Sequence, residues 1–277
     1  GGHEYVATAH EDQKFGLSTH TGAARQAIDR IIDAPELELR GLHSHIGSQI
    51  ADFAGFEQAA EAVLRLRHEV AADTGWLCPE IDLGGGLGIA YTGADEPAPS
   101  PAALARSLAA VVRSLCTELG DEAPHVSVEP GRSIAGPGQV TLYRVTGLKR
   151  VELGEGASRL YVSVDGGMSD NLRPALYGAA YTALVANRLP GPEAGLVRSR
   201  VVGKHCESGD IVVRDVDLPG DLTVGDILAV PATGAYGRSM SMNYNLFPRP
   251  GVAWVHEGGQ GWVLRPETVE DLLRLEG

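Results

Sequence analysis

The chain has 277 residues, 43% of them hydrophobic, which is enough for one large α/β domain or two modest ones. The formal net charge of −13 argues against nucleic acid or an anionic membrane as a partner, because both bind to basic surfaces. Three isolated cysteines indicate neither a disulfide framework nor a zinc site, and they suit a reducing cytoplasm. Arginines interrupt the most apolar helical candidate and the chain lacks a basic-then-apolar start, so we expect a cytoplasmic protein outside the membrane.

The first half of the chain alternates helical and strand-like segments, which is typical of βα units around a parallel sheet. Helical periodicity covers residues 22–34, 53–74 and 101–119, and Asp52 and Ser100 are in position to cap the second and third helices. The strand candidates are "LELRGLHSHIG", "EIDLGGG" and "HVSVEPG". Each ends in glycine and polar residues, and the carboxyl edge of a parallel sheet is where such folds bind ligands.

In the second half, strand-like runs separated by turn residues predict a mostly antiparallel β domain, and the residues from Pro266 predict a short final helix. The strand candidates are "QVTLYRVTGLKRV", "RLYVSVDGG", "DIVVRDVDLP", "GDILAVPATGAY" and "VAWVHEGGQGWVLRP". A parallel barrel closes with eight strands, whereas only about four βα units precede this domain. We therefore expect an α/β plus β fold. It comprises a partial (β/α) barrel in residues 1–135 and a β-rich domain in residues 136–277, whose final segment could pack back on the barrel.

Three consecutive glycines, Gly84 to Gly86, end the second strand candidate. Backbone N–H groups at such a loop can converge on an anion without interference from side chains. A phosphate site and a plain turn both fit this pattern. The next strand candidate leads to Glu129 and Arg132, which a Pro-Gly turn would expose. This pair could bind the two ends of a zwitterionic ligand, or it could close the turn as an ion pair.

His43 and His45 are two residues apart, so strand alternation would place both side chains on one face. Paired histidines invite a metal ion, but a catalytic site needs a third ligand and no later strand end offers an obvious additional histidine. We therefore expect no metal site. The remaining interpretations are a core histidine and a contact to a bound ligand.

Further candidate site residues lie in the second half of the chain. Arg173 and Tyr177 follow a strand candidate that ends in Gly-Gly, and an arginine beside a phenol suits a carboxylate, although a structural ion pair is the alternative. Tyr236 lies in a Gly-Ala-Tyr-Gly loop and is an expected ligand contact. Cys206 stands beside Glu207 in "VVGKHCESGD", where spacing alone does not choose between a core thiol, a metal ligand, a nucleophile and a proton donor.

Seven segments, in this order, resemble the PLP-dependent decarboxylases whose catalytic domain is an alanine-racemase-like barrel, most closely those that act on diaminopimelate. They span nearly the whole chain, and seven ordered motifs are more specific than any one alone. The resemblance implies the C-terminal half of a PLP-binding TIM-like (β/α)8 barrel followed by the β domain. The segments are "EDQKFGLS", "GLHSHIGSQ", "IDLGGGLGIAY", "EPGRS", "DGGMSDNLRPALYGA", "CESGD" and "GAYGRSMSMNYN".

The resemblance implies pyridoxal 5'-phosphate as the cofactor. Glu129 would pair with the pyridine nitrogen, where an anion keeps the ring protonated and able to withdraw electrons. His45 would stack on the ring. The other implied cofactor contacts, most of them around the phosphate, are Ser48, Gly84, Gly85, Gly86, Gly131, Arg132 and Tyr236.

The implied reaction is decarboxylation of meso-2,6-diaminopimelate to L-lysine and CO₂, the last step of lysine biosynthesis. Cys206 would donate the proton that replaces CO₂, since a thiol with a pKa of about 8.5 is mostly protonated at neutral pH. The resemblance also implies a homodimer with composite active sites, because the "CES" loop serves the neighbouring subunit. The implied substrate contacts are Arg132, Arg173, Tyr177, Glu207 and Tyr236.

The family's Schiff-base lysine would lie early, at the end of the first barrel strand. Lys14, Lys149 and Lys204 do not stand in that context, so we assign no Schiff-base residue. We expect an N-terminally incomplete chain that could be inactive alone. The alternatives are a related PLP-dependent decarboxylase of another basic or carrier-bound amino acid, a non-catalytic PLP-binding fragment, and a metallohydrolase that uses His43 and His45.

Overall fold

The computed structural model describes residues 14–276, so the first three residues of the motif "EDQKFGLS" lie outside the described part of the chain. The described residues form two compact units, residues 14–90 with 96–134 and residues 91–95 with 135–276. Within them, no helix has both the length and the apolar character that crossing a membrane requires.

The first unit is built on a three-stranded parallel sheet in the order β1-β2-β3. The strands are short: β1 is Gly41–His43, β2 is Glu80–Asp82 and β3 is His125–Ser127. Their last residues lie side by side, since His43 pairs with Asp82 and Asp82 pairs with Ser127. The loops that follow all three strands therefore emerge from one edge of the sheet.

Two long helices, α2 (Ala54–Thr74) and α3 (Pro101–Leu119), cover this sheet, and the shorter α1 (Ala23–Ile32) precedes it. Helix α3 begins where predicted, because the Ser100 side chain accepts a hydrogen bond from the Ala103 N–H. Asp52 was expected to cap α2; the structure places Phe53 at that position, and Asp52 instead accepts from the Ala54 N–H at 3.0 Å. The core joins one side of each helix to the sheet, with members Phe56, Ala60, Val63, Leu64, Ile81, Leu83, Leu87, Leu104, Leu108, Val112, Leu115 and Cys116.

The second unit contains a six-stranded sheet in the order β6-β9-β4-β5-β7-β8. The expectation of a mostly antiparallel domain fits every pair except β5 with β7, which run parallel. Strand β7 was not among the strand candidates. The strands are β4 (Thr141–Gly154), β5 (Ala157–Val164), β6 (Leu184–Val185), β7 (Leu196–Val202), β8 (Ile211–Pro219) and β9 (Ile227–Val230).

Three short helices and a hairpin complete the description. Helix α4 is Gly131–Ala135, α5 is Arg173–Tyr177 and α6 is Val269–Leu273. The hairpin pairs β10 (Val252–His256) with β11 (Gly259–Leu264). Helix α6 was expected to begin near Pro266, but a capping box formed by Thr268 and Asp271 starts it later. Both sheets are open within the described residues, so the partial barrel stays a proposal.

One half-buried carboxylate fixes the segment between residues 243 and 249. Glu267 accepts hydrogen bonds from the Asn243 side chain at 2.7 Å, from the Arg249 N–H at 2.8 Å and from the Arg249 guanidinium. The bond from Arg249 is the main reason that the pKa of Glu267 falls from 4.5 to about 2. The two ends of this segment are thereby tied to one side chain.

Replacing Gly85 by alanine tests the packing of the strand-end loops. A Cβ at this position would overlap the Glu129 carbonyl oxygen, so the two loops would have to separate. We expect Gly85→Ala to lower the free energy of unfolding by about 1–3 kcal/mol, measured by urea titration. Gly93→Ala is the control, because a Cβ there meets open space. Equal unfolding midpoints for the two variants would contradict the packing argument.

Glu267→Gln should change how stability depends on pH. Because folding lowers the pKa of Glu267, its stabilisation is complete above pH 4.5 and is lost as the pH falls towards about 2. We expect the unfolding midpoint of the variant to depend less on pH in this window than that of the parent protein. Glu193→Gln, in the exposed loop 189–195, is the control and should leave the profile unchanged.

Candidate functional site

The glycine loop after β2 packs directly against its neighbours. Side chains at Gly84, Gly85 and Gly86 would collide with backbone carbonyls of other loops, and Gly84 and Gly86 also have positive φ angles. The loop is therefore more constrained than a plain turn. The Gly84 N–H donates to Asp82 and the Gly85 N–H to the His45 ring. Close packing against the neighbouring loops accounts for the lack of side chains here, and the phosphate site stays a proposal.

A cluster of one histidine and two carboxylates lies at the ends of the three strands. His43, Asp82 and Glu129 each offer a ligand atom, and these atoms lie within 4.8 Å of one another. The His43 Nε2 and a Glu129 oxygen are 3.4 Å apart, while one Asp82 oxygen accepts from the Gly84 N–H. No further histidine directly follows the three strands, but Asp82 at the end of β2 and Glu129 after β3 supply carboxylates at the same edge.

His43 and His45 have different surroundings. Strand β1 ends at His43, so His45 lies outside the strand and the alternation that would place both side chains on one face does not extend to it. His43 faces Glu129, whereas the His45 Nδ1 accepts a hydrogen bond from the Gly85 N–H at 3.3 Å. Both side chains are exposed, which removes the core-histidine interpretation.

Arg132 is a buried cation near the strand ends of the first unit. Its guanidinium donates to the Ser48 hydroxyl at 2.8 Å, and only 8% of the residue is exposed. Gly131, at the start of α4, donates its N–H to the Glu129 carbonyl, which forms the turn between the acid and the arginine. The acid and the arginine therefore serve different partners, His43 and Ser48.

Arg173 lies in an aromatic enclosure in the second unit. Its guanidinium donates to the Tyr181 hydroxyl at 2.6 Å and lies 4.6 Å from the centre of the Tyr91 ring. The residue is 7% exposed, and within residues 14–276 no carboxylate forms an ion pair with it. The structural ion pair considered for Arg173 is therefore replaced by stacking and a neutral hydrogen bond. Its positive charge stays available to an anion.

Tyr177 and Tyr236 occupy separate places in the second unit. Tyr177 is half-buried at the end of α5, one turn after Arg173. Tyr236 is 45% exposed with a φ of 57°, a conformation that non-glycine residues rarely adopt. The expectation of a partly exposed aromatic at this loop agrees with that placement.

The loop of residues 203–210, between β7 and β8, carries Cys206 and Glu207 on its exposed side. Cys78 and Cys116 are buried, and burial raises the pKa of both thiols. Cys206 is the exposed thiol. The Glu207 carboxylate accepts a hydrogen bond from the Tyr244 hydroxyl at 2.6 Å. Sequence reasoning gave Tyr244 no role, although it lies in the quoted segment "GAYGRSMSMNYN".

The structure joins several of the predicted site residues within each unit. In the first unit, measured contacts join His45 to Gly85, Ser48 to Arg132, and Glu129 to the glycine loop. In the second unit, Arg173 and Tyr177 share α5, whereas Cys206 and Glu207 share the loop 203–210.

Comparison with known families gives two matches. Residues 1–136 match the pyridoxal binding domain of the pyridoxal-dependent decarboxylases, and residues 101–234 match the C-terminal sheet domain of the same proteins. Together the two matches cover residues 1–234.

Individual relatives point the same way. Diaminopimelate decarboxylase of Mycobacterium tuberculosis H37Rv is 52% identical over 99% of this chain and 62% of the relative, and that of Bacillus subtilis is 43% identical over 99% and 60%. A crystal structure of diaminopimelate decarboxylase from M. jannaschii with L-lysine superposes with a TM-score of 0.88 at 30% identity, covering 99% of this chain and 60% of that one. The chain thus spans about three-fifths of the length of these relatives, and it belongs to the pyridoxal-dependent decarboxylases.

Proposed function

We propose that the protein decarboxylates meso-2,6-diaminopimelate to L-lysine and CO₂ with pyridoxal 5'-phosphate, as the last step of lysine biosynthesis. The observation that carries the proposal is the buried Arg173, whose charge has no carboxylate partner among the described residues. Relatives at 43–52% identity named diaminopimelate decarboxylase support the substrate, as do the related structures that contain L-lysine.

The residues at the strand ends of the first unit fit pyridoxal phosphate. A phosphate monoester needs a cation and hydroxyl donors, and the buried Arg132 with Ser48 supplies both. A protonated ring nitrogen needs an anion, and Glu129 provides an exposed carboxylate at the same edge. The proposed contacts also include His45, the glycine loop 84–86, Gly131 and Tyr236. When bound, the cofactor would supply an electron sink for the carbanion left by loss of CO₂.

Most of the groups that would hold the substrate and return a proton come from the second unit. Arg173 and Tyr177 would bind the distal carboxylate, with Arg132 and Tyr236 as further contacts. Glu207 would bind the distal ammonium. The Cys206 Sγ would hold the proton that the α-carbon receives in place of the carboxylate, and its exposure makes it accessible to a ligand.

We also propose a homodimer with composite sites, in which loop 203–210 serves the partner. The partial barrel with residues 1–135, followed by a β-rich domain, belongs to this proposal as well. Free cysteines within the described residues support a reducing, cytoplasmic location.

The His43–Asp82–Glu129 cluster favours a second candidate, a metal-dependent hydrolase, because imidazole and carboxylate oxygens suit Zn²⁺. Elemental analysis of purified protein separates the two functions. Stoichiometric zinc with no binding of pyridoxal phosphate would favour the hydrolase.

Cys206→Ala tests the proton donor. We expect the kcat for CO₂ release from meso-diaminopimelate, by purified protein containing residues 1–277, to fall about 10²–10⁴-fold, the range for loss of a general acid. Cys206→Ser keeps the size of the side chain and should also fall, because a hydroxyl is a much weaker acid than a thiol. Unchanged kcat in both variants would refute the role. Release of CO₂ from ornithine or arginine instead would refute the substrate and leave the family intact.

Arg132→Met tests the phosphate site without an activity assay. Loss of the buried cation should weaken pyridoxal phosphate binding at least tenfold, measured by equilibrium dialysis. Arg106→Met, an exposed position on α3, is the matched control and should bind as the parent protein does. Equal affinity of the two variants would place the phosphate elsewhere.

A further inference from the structure

Loop 203–210 is closed at its base by one buried carboxylate. Asp210 is 3% exposed and accepts hydrogen bonds from the His205 N–H at 2.8 Å and the Met168 N–H at 2.6 Å. Side chains at Gly203 or Gly167 would overlap this carboxylate. The two residues that carry the proposed chemistry, Cys206 and Glu207, therefore project from a base with little freedom.

A second segment, residues 242–247, packs against Lys204 and His205 of the loop. The His205 ring lies 5.1 Å from the Tyr244 ring and 5.3 Å from the Phe247 ring, measured between centroids. The Lys204 ammonium lies 4.2 Å above the Phe247 ring. The aromatic side chains thus contact the two residues that precede Cys206.

The Tyr244 hydroxyl contacts the residue that follows Cys206. It donates to a Glu207 carboxylate oxygen at 2.6 Å, the short length of a charge-assisted bond. The same bond raises the pKa of Tyr244, so the hydroxyl keeps its proton and remains a donor. One tyrosine therefore contacts both neighbours of Cys206, His205 by its ring and Glu207 by its hydroxyl.

Tyr244 is itself fixed on both sides. The Met242 N–H donates to the Ser169 carbonyl, and the Ser169 hydroxyl is 2.8 Å from the His205 Nε2. On the other side, Glu267 holds Asn243 and Arg249, as described above. A hydroxyl on such an anchored segment can fix a carboxylate that has no other protein partner in residues 14–276.

We propose that Tyr244 is a positioning residue that orients the Glu207 carboxylate towards the distal ammonium of the substrate and keeps the Cys206 loop in place. The proposal rests on the proposed decarboxylase function, which gives Glu207 and Cys206 their roles. The ring packs against His205, whereas the hydroxyl ties Glu207, and with it the loop residues beside Glu207, to the anchored segment. Tyr244→Phe therefore separates the two contributions, since it removes only the hydroxyl.

The kinetic test uses purified protein containing residues 1–277. Tyr244→Phe should raise the KM for meso-diaminopimelate about tenfold, as expected for loss of a hydrogen bond to a charged group, with kcat changed less than twofold. In the Glu207→Gln background the same change should raise KM less than twofold, because the oriented charge is already absent. Tyr161→Phe, on strand β5, is the control and should leave KM unchanged. Independent, multiplying effects of Tyr244→Phe and Glu207→Gln would overturn the proposal.

A second readout does not require the reaction. Hydrogen exchange of the amides of residues 205–209, followed by mass spectrometry without substrate, should be at least threefold faster in Tyr244→Phe than in the parent protein and in Tyr161→Phe. Peptides from β8 should exchange equally in all three. If the parent protein releases no CO₂ but the exchange result holds, the proposed function fails and the positioning role of Tyr244 stands. Equal exchange in all three proteins would overturn the positioning role.

Discussion

The backbone carbonyls of Ser44, Gly47 and Glu129 approach the glycine loop after β2 so closely that no side chain fits between them. The first unit's site depends on this contact, because it brings the loops after all three strands to one edge. His45, Glu129 and Arg132 then need only short extensions from their strands. The absence of side chains at three positions thereby determines where the polar residues lie.

In the second unit a buried charged side chain, the Asp210 carboxylate, brings two loops together. Two glycine-containing loops close around the Asp210 carboxylate, which replaces solvent as the acceptor for their N–H groups. In loop 203–210 the residues proposed for chemistry, Cys206 and Glu207, stand one and two positions after His205, whose N–H is held by Asp210. Cys206 is exposed while its neighbour His205 is buried, so each loop separates fixed residues from accessible ones along a few positions.

Much of this arrangement could be predicted from the sequence. Helix α3 starts and ends as predicted because Ser100, Pro101 and Gly120 are local signals that need no tertiary contact. The strands of the first unit proved shorter than their apolar patterns, since the flanking residues curve into loops that pack on each other. Strand β7 was missed because Arg198 and Arg200 dilute its apolar pattern, although Ser199 and Val201 between and beside them are buried. Contacts such as that of Glu207 with Tyr244, 37 residues apart, leave no local signal at all.

The closure of loop 203–210 has a consequence for how such an enzyme could be altered. The Gly203 N–H donates to the Asp210 carbonyl, and the Asp210 carboxylate accepts from His205, so the loop's own residues close its base. Its exposed residues, 206–209, can then be exchanged without rebuilding strands β7 and β8, whereas a change at Glu207 removes the bond from Tyr244. Substitutions at the exposed positions would change which groups meet a ligand, while Gly203 and Asp210 keep the ends of the loop joined to the sheet.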